Sequence, residues 1–111
     1  MRNKYRNKKI EVDGHKFDSK KEATRYICLK NELGLGIIGN LKLQPEFILQ
    51  DGFKISGKKF REIKYVADFM YTRNGKTIVE DVKGIKTEVY KIKKKMFLKR
   101  YNHPDLIFIE T

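Results

Sequence analysis

The sequence predicts a single α/β domain in which a central sheet is covered on both faces by helices. Three observations carry this. Two β-rich runs, Ile63–Thr72 and Thr77–Val82, flank Asn74–Gly75, the dipeptide that favours the two-residue loop of a β-hairpin. Both faces of that hairpin are largely apolar, as in strands packed on both sides in the middle of a sheet. Amphipathic helical patterns lie before and after it, at Asp18–Leu33 and Thr87–Tyr101. With 111 residues the chain has room for one domain, and a homodimer is expected because a core this small is marginal alone.

Charge narrows the partners. There are 26 Lys and Arg against 14 Asp and Glu, a formal net charge of +12. Such a balance points to a polyanion, either nucleic acid or an anionic membrane. No apolar run approaches the roughly 18 residues of a spanning helix. The N-terminus is basic without the apolar stretch of a secretory signal. Nucleic acid is therefore the expected partner, with no membrane role, and the expected setting is cytoplasmic. The single Cys28 permits no internal disulfide and no Cys-based metal site, and on its predicted helix it reads as a packing residue.

Residues 1–9 carry Arg2, Lys4, Arg6, Lys8 and Lys9 and no acid. They are expected to form a flexible basic arm along phosphates, and residues 10–111 the folded domain. Ile10–Phe17 alternates around Asp13–Gly14, a second and shorter hairpin signal. His15 and His103 have no partners at metal-ligand spacing, so zinc is not indicated. In Asp18–Leu33, Asp18 or Ser19 is the N-cap, Gly34 and Gly36 end the helix, and Tyr26, Leu29 and Leu33 form the buried stripe. That stripe extends back to Glu22. Two compatible readings fit this acid: the partner in a Ser19-x-x-Glu22 capping box, or a carboxylate facing the central hairpin.

Ile37–Gln50 is expected to be extended with a bend at Gln44–Pro45, and Gln44 and Glu46 read as sheet-edge residues. Asp51–Arg61 reads as a Gly- and Lys-rich turn, either DNA-contacting or simply solvated. The helix Thr87–Tyr101 is expected to bury Val89, Ile92, Met96 and Phe97. Its cations, including Lys91, Lys94, Lys95 and Lys99, are expected to track phosphates. Leu106–Ile109 closes the chain as an apolar strand.

The chemistry concentrates in the central hairpin. With Asn74–Gly75 as its loop, Asp68 lies directly opposite Asp81, and Lys83 opposite Val66, all on one sheet face with Met70 and Val79. Like charges directly opposed repel, and a carboxylate on an apolar face needs a cation. Two readings satisfy the pair. Hard oxygen ligands of this kind suit Mg²⁺, held by one or two carboxylates with water and phosphate completing its shell. Alternatively, Lys83 neutralises one acid in a structural ion pair. Glu80 falls on the opposite face, so the acidic role goes to Asp81.

The order of these parts resembles the PD-(D/E)-x-K nuclease superfamily, whose core is α-β-β-β-α-β. The phrases FDSKKEATRY, LQPEF, YVADF and EDVKG resemble a small phage and prophage group related in organisation to Holliday-junction resolvases and transposon-end nucleases. The resemblance spans roughly Val12 to Tyr101, with Ala67 standing where the motif name has Pro. It implies a restriction-endonuclease-like fold in which Asp68 and Asp81 are the motif's acids, Lys83 its lysine and Glu22 the first-helix acid. Asp68, Asp81 and the Val82 carbonyl would then hold Mg²⁺ or Mn²⁺, with Glu22 completing the site and no small-molecule cofactor required. The expected activity is structure-specific cleavage of branched DNA in a bacterial host. The rivals are a non-catalytic nucleic-acid binder and a nuclease subunit of a transposase- or packaging-type complex.

Overall fold

A computed structural model of the chain describes residues 9–82 and 86–111. Arg2, Lys4, Arg6, Lys8 and Lys83 lie outside the described residues. The chain opens with a short hairpin, β1 (Ile10–Val12) and β2 (His15–Phe17), followed by helix α1 (Lys20–Gly34). Strands β3 (Gly39–Leu43) and β4 (Glu46–Gln50) come next, then β5 (Phe53–Ile55) and β6 (Lys58–Phe60). The central segment comprises β7 (Ile63–Val66), β8 (Phe69–Arg73) and β9 (Lys76–Asp81). Helix α2 (Glu88–Arg100) and strand β10 (Leu106–Glu110) complete it.

The main sheet has four strands in the order β10-β9-β8-β3. β10 runs parallel to β9, while β9–β8 and β8–β3 are antiparallel, so the sheet is mixed. Taking α1, β3, β8, β9, α2 and β10 in turn gives the αβββαβ order. The β8–β9 hairpin has the register its Asn-Gly loop dictates, with Arg73 opposite Lys76 and Phe69 opposite Glu80. Both loop residues take positive φ, 52° at Asn74 and 77° at Gly75, as a turn matching strand twist requires.

Helices cover the two faces. On one, α1 buries Ala23, Tyr26 and Leu29 against Phe17, Ile38, Phe69, Tyr71, Ile78 and Val82. On the other, α2 buries Tyr90 and Phe97 against Leu49, Tyr65, Ala67 and Val79. The Phe97 ring is central there, 4.7 Å from Phe47, 5.3 Å from Tyr65 and 5.7 Å from Phe108, centroid to centroid. Such aromatic packing adds to simple burial. Both helices begin with a capping side chain: Ser19 Oγ accepts from the Glu22 N–H, and Thr87 Oγ1 from the Tyr90 N–H.

Five sequence expectations are corrected. Ile63–Thr72 is not one strand but β7 and β8, separated at Ala67–Asp68. Consequently Tyr65 and Ala67 do not share a face with Phe69 and Tyr71; the first pair packs toward α2 and the second toward α1. Asp51–Arg61 contains a paired hairpin, not a turn alone. Val89 and Ile92 are exposed on α2, whose buried positions are Tyr90 and Phe97 with Met96 partly covered, because the helix presents its aromatic side to the sheet. Cys28 is exposed, at a cleft between α1 and the residues Val82 and Thr111, and is not one of the core residues.

Glu80 shows what burying charge requires. It is fully buried on the α1 face and accepts from Arg25 Nε at 2.5 Å, Arg25 Nη2 at 3.0 Å, the Tyr71 hydroxyl at 2.7 Å and the Thr111 hydroxyl at 3.0 Å. Arg25→Ala removes the cation and leaves the carboxylate in the core. We expect a loss of about 3 kcal/mol in unfolding free energy, near the low end for a broken buried pair because Arg25 is partly solvated and two hydroxyls remain. A urea titration with unchanged slope and a lowered midpoint checks this.

Candidate metal and nucleic-acid site

The site begins with two strand breaks that lie side by side. In the first, Pro45 lacks an N–H and constrains the residue before it, so β3 cannot run on into β4. In the second, β7 stops at Val66 and β8 starts at Phe69. Backbone hydrogen bonds tie the two together: the Gln44 N–H donates to the Asp68 carbonyl at 2.9 Å, and the Ala67 N–H to the Pro45 carbonyl at 3.1 Å. On one side of the bend Leu43 pairs with Phe69, and on the other Glu46 pairs with Val66. The bend exchanges the faces of the chain and leaves Asp68 at the point of exchange.

Asp68 is half-buried there. Its N–H donates to the Glu80 carbonyl at 3.1 Å, and its Oδ2 accepts from the Val82 N–H at 2.6 Å. The carboxylate thus fastens the end of β9 by a charge-assisted bond. Asp68 and Glu22 line one cavity of about 210 Å³, together with His15 and Gln44. Glu22 is only 6% exposed, although it stands in the first turn of α1. The stripe of α1 therefore does carry a carboxylate inward while Ser19 caps the helix.

Asp81 is 1% exposed and lies on the α2 face, where the Tyr65 hydroxyl donates to its Oδ2. Burial, that hydrogen bond and the charges of Asp81 and Asp68 together push the Tyr65 hydroxyl pKa well above its ordinary value. Next to it, Tyr90 donates to Glu110 Oε2, with the Tyr65 and Tyr90 rings 6.3 Å apart. Burial and the bond to Glu110 raise the Tyr90 hydroxyl pKa likewise. Glu110 also meets Lys94 at 3.0 Å and Lys86 at 3.3 Å. The Tyr90 hydroxyl first, then Lys94 and Lys86, hold its carboxyl down to about 2.

The described residues thus bring Glu22 and Asp68 to one cavity and fasten Asp68 to Val82, the residue after Asp81. They do not gather three Asp, Glu, His or Cys side chains into a ready ligand set. A Mg²⁺ ion does not require one, since one or two carboxylates suffice when water and phosphate oxygens fill the shell. The donors on offer at Asp68, Asp81, Glu22 and the Val82 carbonyl are hard oxygens, which fits Mg²⁺ or Mn²⁺ and not a thiolate-loving metal.

Cations flank the acids on both sides of the sheet. Lys20, Lys21 and Arg25 of α1 border a cleft of about 490 Å³ that reaches Val82 and Thr111. Lys86, Lys91, Lys94 and Lys95 border another of about 220 Å³ along α2, beside Tyr90. Lys99 is exposed, outside that cleft. Lys9 pairs with the exposed Asp18.

Sequence reasoning passed over two contributors. Tyr65 sits in a run that reads simply as an apolar strand, and nothing local marks its hydroxyl. Gln44 left a signal in Pro45, but was read as a sheet-edge residue. Its φ is +50°. The other described non-glycine residues with positive φ are Asp13, Asn40, Ser56 and Asn74, short polar types at home in turns. Gln44 is the exception, and it lines the cavity of the two acids. Glu46, by contrast, is an exposed edge residue paired with Lys64 at 3.1 Å.

The chain belongs to the family described as "Protein of unknown function (DUF1064)", whose model matches residues 2–110. No curated protein matches the sequence. Among the described residues no helix is long and apolar enough to cross a membrane.

Two outcomes follow from the geometry. Because the Glu110 carboxyl is held below its ordinary 4.5, at about 2, its contribution to stability is full above pH 4.5 and fades as pH falls toward 2. Urea midpoints measured across that window should drop less for Glu110→Gln than for the wild type. Gln44→Gly removes the cost of a side chain at positive φ. Its unfolding free energy should be unchanged or higher, by up to about 1 kcal/mol, whereas Gln44→Ala gains nothing.

Proposed function

We propose that this DUF1064 member is a metal-dependent endodeoxyribonuclease that hydrolyses phosphodiester bonds in branched DNA. The observation that carries the reading is the placing of two acids at the end of β9: Asp68, bonded to the Val82 N–H and sharing a cavity with Glu22, and Asp81 one residue before Val82. The net charge of +12 supports it, and so does the resemblance to the PD-(D/E)-x-K superfamily. In this reading the enzyme works as a homodimer in the cytoplasm of a bacterial cell, encoded by a phage or prophage.

Each residue then has a distinct task. Asp68, Asp81 and the Val82 carbonyl hold Mg²⁺ or Mn²⁺, and Glu22 completes the site directly or through water. When bound, such an ion lowers the pKa of a coordinated water and polarises the scissile phosphate. Tyr65 fixes the Asp81 carboxylate through its hydrogen bond, so one acid is oriented before substrate arrives. Lys83 orients the attacking water and offsets charge on the phosphoryl oxygens in the transition state. Lys91, Lys94, Lys95 and Lys99, with the arm cations Arg2, Lys4, Arg6, Lys8 and Lys9, hold the DNA backbone.

One observation favours a different reading. Asp68 and Asp81 each accept from a protein donor, the Val82 N–H and the Tyr65 hydroxyl, as they would in a binding protein whose acids are structural. Cleavage of labelled branched and linear DNA in Mg²⁺ and in Mn²⁺ separates the two. The nuclease reading expects cleavage by the wild type and none by Asp81→Ala. It expects a fall of about 10²-fold or more for Lys83→Ala, with DNA binding in EDTA retained by both variants. Intact DNA with either metal, alongside tight binding, would establish the binder instead. Activity appearing only when a transposase or packaging partner is added would establish a nuclease subunit.

A further inference from the structure

One element takes no part in this site. Among the described residues the β5–β6 hairpin is hydrogen-bonded to no other strand, and every residue from Asp51 to Ile63 is exposed. Its register sets Phe53 opposite Phe60, Lys54 opposite Lys59 and Ile55 opposite Lys58. Opposed residues share a face, so the hairpin is two-sided. One face carries Phe53, Phe60 and Ile55, which are 43%, 37% and 60% exposed, with the Lys58 ammonium 5.4 Å from the Phe60 ring centroid. The other carries Lys54 and Lys59 directly opposed.

Neither face is explained by folding. Like charges directly opposed destabilise a hairpin, and among the described residues no carboxylate pairs with Lys54 or Lys59. The two Phe rings stack nearly parallel, 13° apart with centroids at 4.9 Å, yet both stay substantially exposed. An occupant that relieves both must be anionic and must offer flat apolar faces. Unpaired nucleotides do: their phosphates neutralise the lysine pair, and their bases stack on the rings. A duplex keeps its bases stacked inside and offers only phosphates.

We propose that the β5–β6 hairpin is a binding element for unpaired DNA, with Phe53 and Phe60 as the stacking platform and Lys54 and Lys59 as the phosphate clamp. The hairpin is rooted at Gln50 and Ile63, the far end of the β4–β7 ladder from the Asp68 bend. At about 3.3 Å per residue, that puts its base roughly 15 Å along the strand from the acids. Unpaired bases held there would be a few nucleotides from the bond cut. This rests on the nucleic-acid reading above and names its substrate feature: a strand with unpaired bases beside the cleavage point.

The test is binding without catalysis, by fluorescence anisotropy in EDTA, using a single strand, its duplex and a four-way junction. Phe53→Ala/Phe60→Ala should weaken single-strand binding about tenfold or more and leave duplex binding within about twofold. Lys54→Ala/Lys59→Ala should flatten the single-strand log–log salt dependence by about 1.4, or 0.7 per lost phosphate contact. The chain contains no Trp, so Phe60→Trp supplies a sole indole. Its emission should be quenched by the single strand and not by the duplex. Unchanged single-strand affinity in both double variants, or an indole indifferent to the single strand, would overturn the hairpin's role while wild-type binding and cleavage upheld the nuclease. Conversion of a dimer to a monomer by the Phe variants, with DNA binding unaltered, would overturn it in favour of a second copy as occupant. Failure of the wild type to bind any DNA would remove both proposals.

Discussion

The arrangement depends on one constraint, the paired interruption of two neighbouring strands. Pro45 cannot donate to a ladder, and its presence stops β3 from continuing into β4. The partner chain breaks at the same level, at Ala67–Asp68, and two backbone hydrogen bonds hold the breaks in step. The breaks let one stretch of chain serve both cores. Tyr65 and Ala67 face α2, and Phe69 and Tyr71 face α1. An unbroken strand would send all four the same way. The same interruption frees the Asp68 side chain from the pleat, so it turns to the Val82 N–H and to the cavity of Glu22 and Gln44.

Adjacent residues on β9 show how differently a buried carboxylate can be held. Glu80 has a guanidinium, two hydroxyls and a tightly closed set of bonds. That pairing keeps Arg25 firmly protonated, while burial first and then the bond to Glu80 push the Tyr71 hydroxyl up to about 12. Asp81, one residue on and on the opposite face, accepts from the neutral hydroxyl of Tyr65. Neighbouring carboxylates on one strand are thus held by different partners on opposite faces.

Much of the fold was legible because it follows from local rules. The Asn74–Gly75 loop fixes a register, and the register alone sets residues opposite one another, so the order of β8 and β9 could be written from the sequence. Helix starts at Ser19 and Thr87 were legible through capping, and the inward turn of Glu22 through the spacing of Tyr26 and Leu29. The buried side of α2 was not legible. Val89 and Ile92 fit an apolar stripe as well as Tyr90 and Phe97 do, and only the sheet's aromatic surface selects between them. The exposed hairpin at Phe53–Phe60 was missed because Gly and Lys disguise a strand pair whose three apolar side chains find no core.

Local chemistry along the chain therefore determined the hairpin, the helix caps, the basic surface and the identity of the acids. Those depend on neighbours within a few residues. Tertiary structure decided which acid meets which donor: Tyr65 at Asp81, Arg25 at Glu80, Gln44 beside Glu22 and Asp68. Those partners are brought together across the sheet from distant parts of the chain. No local preference encodes them, because they follow from where a proline halts one strand and its neighbour breaks to match.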